Sequence, residues 1–185
     1  MRDEIVLIGP ARAGKSTQGE LLAARLGLPR CSIDEVRWAH YQAAGYDEDL
    51  ARRTYEVGGL LALYWYWKPF EIDSLERLAA EHHGCVFDLG AGHSVYEHPA
   101  FFERARRALS PFRHVVLLVP SPDDATSIRI LQERGAAEEV ASAFDFTTHF
   151  VTHPSNRALA THVIYTAGKT PEETCDEILR VTGVG

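Results

Sequence analysis

The apolar run Ile5-Val6-Leu7-Ile8, followed at once by Gly9-Pro10-Ala11-Arg12-Ala13-Gly14-Lys15-Ser16, limits the folding choices of this chain more than any other segment. A short uninterrupted apolar run closed by glycine has the pattern of a strand buried on both faces. The next eight residues fit G-x-x-x-x-G-K-[ST] without a gap, and positions 14–26 carry apolar residues at helical spacing, with Gly27 as a stop. Strand, glycine-bearing loop and helix in that order form a phosphate-binding unit. Glycines allow a tight loop whose amide hydrogens point inward at phosphate oxygens, and the helix start adds roughly half a positive charge. In such a loop Lys15 reaches the β- and γ-phosphates and the Ser16 hydroxyl ligates Mg²⁺. Gly9, Pro10, Ala11, Arg12, Ala13, Gly14, Lys15, Ser16 and Thr17 are therefore the candidate nucleotide-binding set, with Thr17 at an α-phosphate. Arg12 is unusual inside the loop; it either contacts phosphate or points into solvent. The competing view, a glycine-rich turn that binds nothing, must account for the specified positions and both flanks together.

The same alternation continues along the chain. Short strands are expected at about 30–33, 85–89, 114–119 and 161–166. Helices are expected from Asp34, read as an N-cap, to about residue 44, over 48–83 with breaks near Pro69 and Asp73, at about 97–109, from Ser121-Pro122-Asp123 onward, and from Pro171 to about 181. Five strands separated by helices predict a parallel α/β sheet covered on both faces. The 185 residues suit one domain, 1–185, without linker or repeat, and 134–150 has the weakest pattern and reads as mobile.

Composition excludes several classes of function. With 26 acidic against 19 basic residues the net charge is −7, which argues against a duplex nucleic-acid binder but leaves room for a local cationic pocket. Cys31, Cys85 and Cys175 fit neither a disulfide framework nor a zinc site and are expected to be reduced thiols. No apolar run reaches the ~20 residues of a membrane span, and the first residues lack a signal-peptide pattern. A cytoplasmic protein, monomer or homodimer, is the expectation.

No Asn/Thr-Lys-x-Asp guanine motif is present, and no strand ends in the paired acids of large ATPase machines, so small-molecule and nucleoside-monophosphate kinases remain. Across nearly its whole length the chain resembles the shikimate kinase family: in 5–16, 21–34, Arg53-x-x-Glu56, Gly90-Ala91-Gly92 and the helix opened by Thr170-Pro171-Glu172-Glu173. The resemblance implies a three-layer P-loop kinase fold with strand order 2-3-1-4-5, ATP and Mg²⁺ as cofactors, acceptor-binding helices at about 34–83 and a lid at about 134–150. It assigns Asp34 to the acceptor hydroxyl, where a carboxylate can take the proton lost on transfer. Arg53, or the adjacent Arg52, would grip an acceptor carboxylate, and Gly90, Ala91 and Gly92 would let the acceptor approach the backbone. Arg129 would stack on adenine, Arg134 would neutralise the transferring group as a catalytic residue beside Lys15, and Arg157 would be a later acceptor contact.

The sequence also departs from that pattern. Ser32 stands where the family has the first acid of Asp-x-Asp, and Arg134-Gly135-Ala136-Ala137 replaces its Arg-Pro-Leu-Leu lid. Asp88 either faces the Mg²⁺ and acceptor cleft, as a metal ligand, or is a structural partner for the phosphate-loop helix; His93 reads as a solvated loop residue. The aromatic stretch 60–70 fills a core or subunit contact, or serves a larger, flatter acceptor. The activity so implied is phosphorylation of a hydroxyl on a small metabolite, shikimate or a shikimate-like polyol or acid. The alternatives are a nucleoside or nucleotide monophosphate kinase and a nucleotide-sensing protein without catalysis.

Overall fold

A computed structural model describes residues 1–135 and 143–185. Five strands form one sheet: β1 (Arg2–Ile8), β2 (Arg30–Ser32), β3 (Val86–Asp88), β4 (Phe112–Val119) and β5 (His162–Tyr165). Their spatial order is β2-β3-β1-β4-β5, and every pairing is parallel. That is the expected architecture and order. Side chains alternate across the sheet, so Val6 and Ile8 enter one core with Phe87, Val115, Ile72, Leu75 and Leu78, while Ile5 and Leu7 enter the other with Leu22, Val116, Leu118 and Ile178. The first core is covered by α2 (Ile33–Ala43), α3 (Glu48–Glu81), α4 (Pro99–Leu109) and α7 (Pro154–Leu159); the second by α1 (Lys15–Leu26), α5 (Asp124–Gly135), α6 (Phe146–Thr152) and α8 (Pro171–Thr182).

Register brings Leu7 beside Asp88 and Ser32 beside Asp88, so β1, β2 and β3 end together. In an open parallel sheet, ligands bind outside the carboxyl ends of the strands. The phosphate loop and the Gly90–Gly92 turn both leave from that edge.

Four local expectations are corrected. The expected breaks at Pro69 and Asp73 are absent: α3 runs through both and is interrupted instead at Gly59, with φ 64° and ψ −160°. Pro69 costs a helix about 3 kcal/mol, but Ile72, Leu75 and Leu78 are fully buried beyond it, and packing outweighs the local rule. Asp34 is not the N-cap, because Ser32 precedes the first helical residue and Asp34 lies in the first turn of α2. The start of α5 is Asp124: the Asp123 carboxylate accepts from the Thr126 amide at 2.8 Å, leaving Pro122 ahead of the helix. Finally, α6 and α7 occupy the stretch before β5 that had no assigned element. Of the expected lid, residues 136–142 lie outside the described residues. No described helix is long and apolar enough to cross a membrane.

Candidate active site

The loop geometry follows from its glycines. Gly9 has φ 136°, and a Cβ there would overlap the Leu118 carbonyl oxygen of β4. Gly14, at φ 98°, is the N-cap of α1. The Lys15 ammonium is buried and donates to the carbonyls of Gly9 at 3.0 Å and Pro10 at 2.8 Å. Burial lowers its pKa to about 8, against the upward pull of the Asp88 and Asp34 carboxylates. Both acids therefore lie within the electrostatic reach of Lys15.

Beside the loop opens a cavity of about 690 Å³, running from Ala11 and Arg12 past Asp34 and Arg37 to Glu71 and residues 90–93. Tyr64, Trp67, Phe144, Phe146 and Phe150 give it an aromatic wall. Asp34 and Arg37, one helical turn apart on α2, stand 3.4 Å from each other. The 90–92 turn approaches closely: a Cβ on Gly90 would lie 3.1 Å from Asp34 Oδ1, and one on Gly92 would overlap the Glu71 carboxylate. Ala91, the middle residue, also lines the cavity.

Behind that turn, Lys68 and Glu71 form a buried ion pair at 2.6 Å on α3. Lys68 also donates to the carbonyls of Gly92 at 3.0 Å and Val95 at 2.9 Å. Burial pushes the Glu71 carboxyl up, opposed by Lys68 and then Arg37. The His93 imidazole is fully buried, which together with the positive charge of Arg37, Lys68 and Lys15 drives its pKa well down and keeps it neutral. Tyr64 closes the wall by donating to Glu97 at 2.5 Å, and His149 of α6 meets the same oxygen at 2.7 Å. Burial raises the Glu97 carboxyl, but the bonds from His149 and Tyr64 outweigh it and leave the pKa at about 2.

A second, smaller cavity of about 180 Å³ lies at Ala13, Gly14 and Thr17, bounded by Arg134, Thr166 and Lys169.

The fold has counterparts of known structure, although the chain matches no family model and no curated protein. A shikimate kinase from Acinetobacter baumannii, in complex with shikimate, superposes with a TM-score of 0.66 at 20% identity, over 98% of this chain and 93% of that one. A shikimate kinase from Aquifex aeolicus gives 0.61 at 24% identity, over 99% and 96%. A gluconokinase from Sinorhizobium meliloti gives 0.52 at 15%, over 99% and 94%. The chain has the P-loop kinase fold.

Set on that fold, the sequence-derived site residues separate into groups. Ala11 and Arg12 of the loop line the larger cavity with Asp34 and residues 90–92, and Ala13, Gly14 and Thr17 line the smaller one. Arg53 does not join them: it is exposed on α3 ahead of the Gly59 interruption, and Arg52 beside it pairs with Asp49 at 2.7 Å. The i,i+3 pair that does reach the turn is Lys68 and Glu71. Arg129 pairs with Glu133 on the surface, and Arg157 pairs with Asp124 at 3.0 Å. Arg134 faces the second cavity and donates to the Arg12 carbonyl at 3.0 Å.

Asp88 is 4% exposed and bound to Arg30 of β2 at 2.8 Å, packed beside Gly19 of α1. Its hydrogen-bond partner is thus a strand residue, and it only packs against the phosphate-loop helix. His93, expected in solvent, is buried because the short 3-10 turn Ala91–Ser94 folds it under α2, with Tyr41 Oη 3.4 Å from its Nε2. The aromatic stretch divides: Tyr64 and Trp67 face the cavity, while Tyr66 packs tilted and Phe70 edge-on against Tyr46. Sequence reasoning missed Arg37, whose only signal was its spacing from Asp34. Its Nε is buried without a hydrogen-bond partner.

The residues present suit Mg²⁺, a hard cation that takes oxygen donors and keeps much of its water. The exposed Ser16 hydroxyl lies at the start of α1, and the Asp34 carboxylate is open to solvent. Asp88 has one oxygen committed to Arg30.

Proposed function

We propose that this chain is an ATP- and Mg²⁺-dependent kinase that phosphorylates a hydroxyl of a small acidic metabolite, a shikimate-like polyol or acid. The observation that carries this is the single cavity joining the phosphate loop at Ala11 and Arg12 to Asp34 and Arg37. A donor phosphate on the loop and an acceptor between α2 and the 90–92 turn would share one space, which is what direct transfer requires.

In this reading the loop amides and Lys15 hold the β- and γ-phosphates. Bound Mg²⁺, held by Ser16 and phosphate oxygens, supplies charge neutralisation. The acceptor hydroxyl oxygen attacks the γ-phosphorus, the bond to the β–γ bridging oxygen breaks, and ADP leaves. Asp34 orients the hydroxyl and takes its proton. Arg37 offers a guanidinium to an acceptor carboxylate, with geometry suited to two parallel bonds. The aromatic wall favours an acceptor with a flat or apolar face over a heavily hydrated sugar. The relatives named above are said to act on shikimate or gluconate by their names, and both are hydroxy acids.

The test is an acceptor screen by ATP consumption, with shikimate first and related polyols and sugar acids next, run beside Lys15→Met. The expected result is acceptor-dependent ADP formation that the variant abolishes while keeping its fold. Unchanged transfer by Lys15→Met overturns the proposal. ATP binding without acceptor-dependent turnover favours the nucleotide-sensing alternative, and turnover confined to nucleoside monophosphates favours the other kinase class.

A further inference from the structure

Arg12 sits in the phosphate loop at φ 64°, the only non-glycine residue with positive φ among the described residues. A side chain is disfavoured there, because its Cβ crowds the backbone. Such outliers persist where the surrounding fold holds them, and they cluster at functional sites.

Its carbonyl, its guanidinium and a cavity show how this residue sits. Its carbonyl oxygen accepts from Arg134 Nη1 at 3.0 Å, which holds the loop backbone from the side of α5. Its guanidinium lies against Gly135 at the end of α5, where a Cβ would overlap Nη1 and Cζ. Glycine at that position leaves the guanidinium its room. The side chain then lines the large cavity together with Asp34 and Gly90. The arginines that the resemblance sets at the transferring group and at adenine, Arg134 and Arg129, are elsewhere. Arg134 bounds the second cavity, and Arg129 is on the surface with Glu133.

We propose that Arg12 is the catalytic cation that faces the transferring phosphoryl group, supplied by the loop itself rather than by the lid. The proposal rests on the kinase reading above. During transfer the acceptor oxygen gains a bond to phosphorus and gives its proton to Asp34, while the bridging oxygen keeps the electron pair and leaves with ADP. Charge grows on the bridging oxygen and spreads over the equatorial oxygens. A guanidinium at the junction of donor and acceptor stabilises that distribution more than it stabilises bound ATP. The strained backbone is then the counterpart of placing a long cation where glycine would be more comfortable.

The experiment compares wild type, Arg12→Gly and Arg12→Lys by kcat, KM for ATP, melting temperature, and affinity for ADP with and without aluminium fluoride, which imitates the transferring group. Arg12→Gly is expected to lose about 10²–10³-fold in kcat with KM for ATP changed less than about threefold, and to lose affinity for ADP–aluminium fluoride but not for ADP. Its melting temperature should stay level or rise by about 2–4 °C, since glycine relieves the strained φ. Arg12→Lys keeps the charge without the fork and should fall between the two. A kcat within threefold of wild type in Arg12→Gly overturns the proposal, as does a kcat loss matched by a drop in melting temperature. Wild type that consumes no ATP with any acceptor refutes the kinase reading and this role with it; a wild-type kinase indifferent to Arg12 refutes this role alone.

Discussion

Replacing Lys68 by methionine tests how the acceptor end of the cavity is held together. The stem volume is nearly kept, but three interactions vanish: the ion pair to Glu71 at 2.6 Å and the bonds to the Gly92 and Val95 carbonyls. Both partners of the pair are less than 5% exposed, so water cannot replace the lost charge. Removing one member of a buried pair costs about 3–5 kcal/mol, because the other charge remains buried without compensation. The two stranded carbonyls belong to the same network, so their cost is contained in that figure and not added to it. For a domain of this size 1 kcal/mol corresponds to about 2–4 °C, and Lys68→Met should melt roughly 6–20 °C below wild type.

The loss should also depend on pH. Burial already pushes the Glu71 carboxyl up, and Lys68 is the main influence holding it down. Without Lys68 the folded protein binds that proton more tightly than the unfolded chain does. Stability is then fully present below the unfolded carboxyl pKa and is lost as pH rises through the higher folded value. Urea unfolding from pH 5 to pH 8 should show a deficit that is smallest at the acid end. Lys68→Met/Glu71→Met should regain at least half the loss, since well-packed apolar residues can replace a buried pair. A melting temperature within about 2 °C of wild type, with an unchanged pH slope, would refute the account of this pair.

Three further outcomes are expected. Asp34→Asn should lower kcat by about 10²–10⁴-fold if its carboxylate takes the acceptor proton, measured by coupled ADP release; a loss below threefold reduces Asp34 to an acid in the first turn of α2. Lys15, its pKa lowered to about 8 by burial, must be protonated to hold phosphate, so the Kd for ATP should rise about tenfold per pH unit above that value; a flat calorimetric profile up to pH 9.5 contradicts it. Arg37→Gln should raise KM about 10–100-fold for a carboxylate-bearing acceptor, the size of a charge-assisted bond, and leave a neutral polyol nearly unaffected; equal effects on both exclude carboxylate recognition.

The fold was readable in the sequence wherever its cause was local or simply hydrophobic. Strands buried on both faces are continuous apolar runs, and 5–8 and 114–119 needed no tertiary knowledge. The division of α3 was not readable by the same means. Proline is a strong local signal, yet Pro69 is overruled by apolar residues one and two turns later, whose burial exists only once the sheet has formed. The interruption falls at Gly59, the second of two adjacent glycines, where backbone freedom is used and no side chain must be packed.

The two halves of the candidate site differ for a related reason. The donor half is one contiguous loop, so residue types and spacing specify it almost completely. The acceptor half is drawn from 34–37, 64–71 and 90–93, and only the common edge of β1, β2 and β3 brings these together. Along the sequence, Arg53 with Glu56 and Lys68 with Glu71 are indistinguishable i,i+3 pairs. What separates them is Gly92, whose missing Cβ admits the Glu71 carboxylate, and the Gly92 carbonyl, which accepts from Lys68. Asp88 shows the same dependence: an acid ending a buried strand reads equally as ligand or scaffold until β2 pairs with β3. That register sets Arg30 beside Val86 and within 2.8 Å of the Asp88 carboxylate. A charge in such a position is therefore assigned by its neighbour across the sheet, whereas the Asp34 carboxylate, on a helix at the sheet's edge, stays open to solvent.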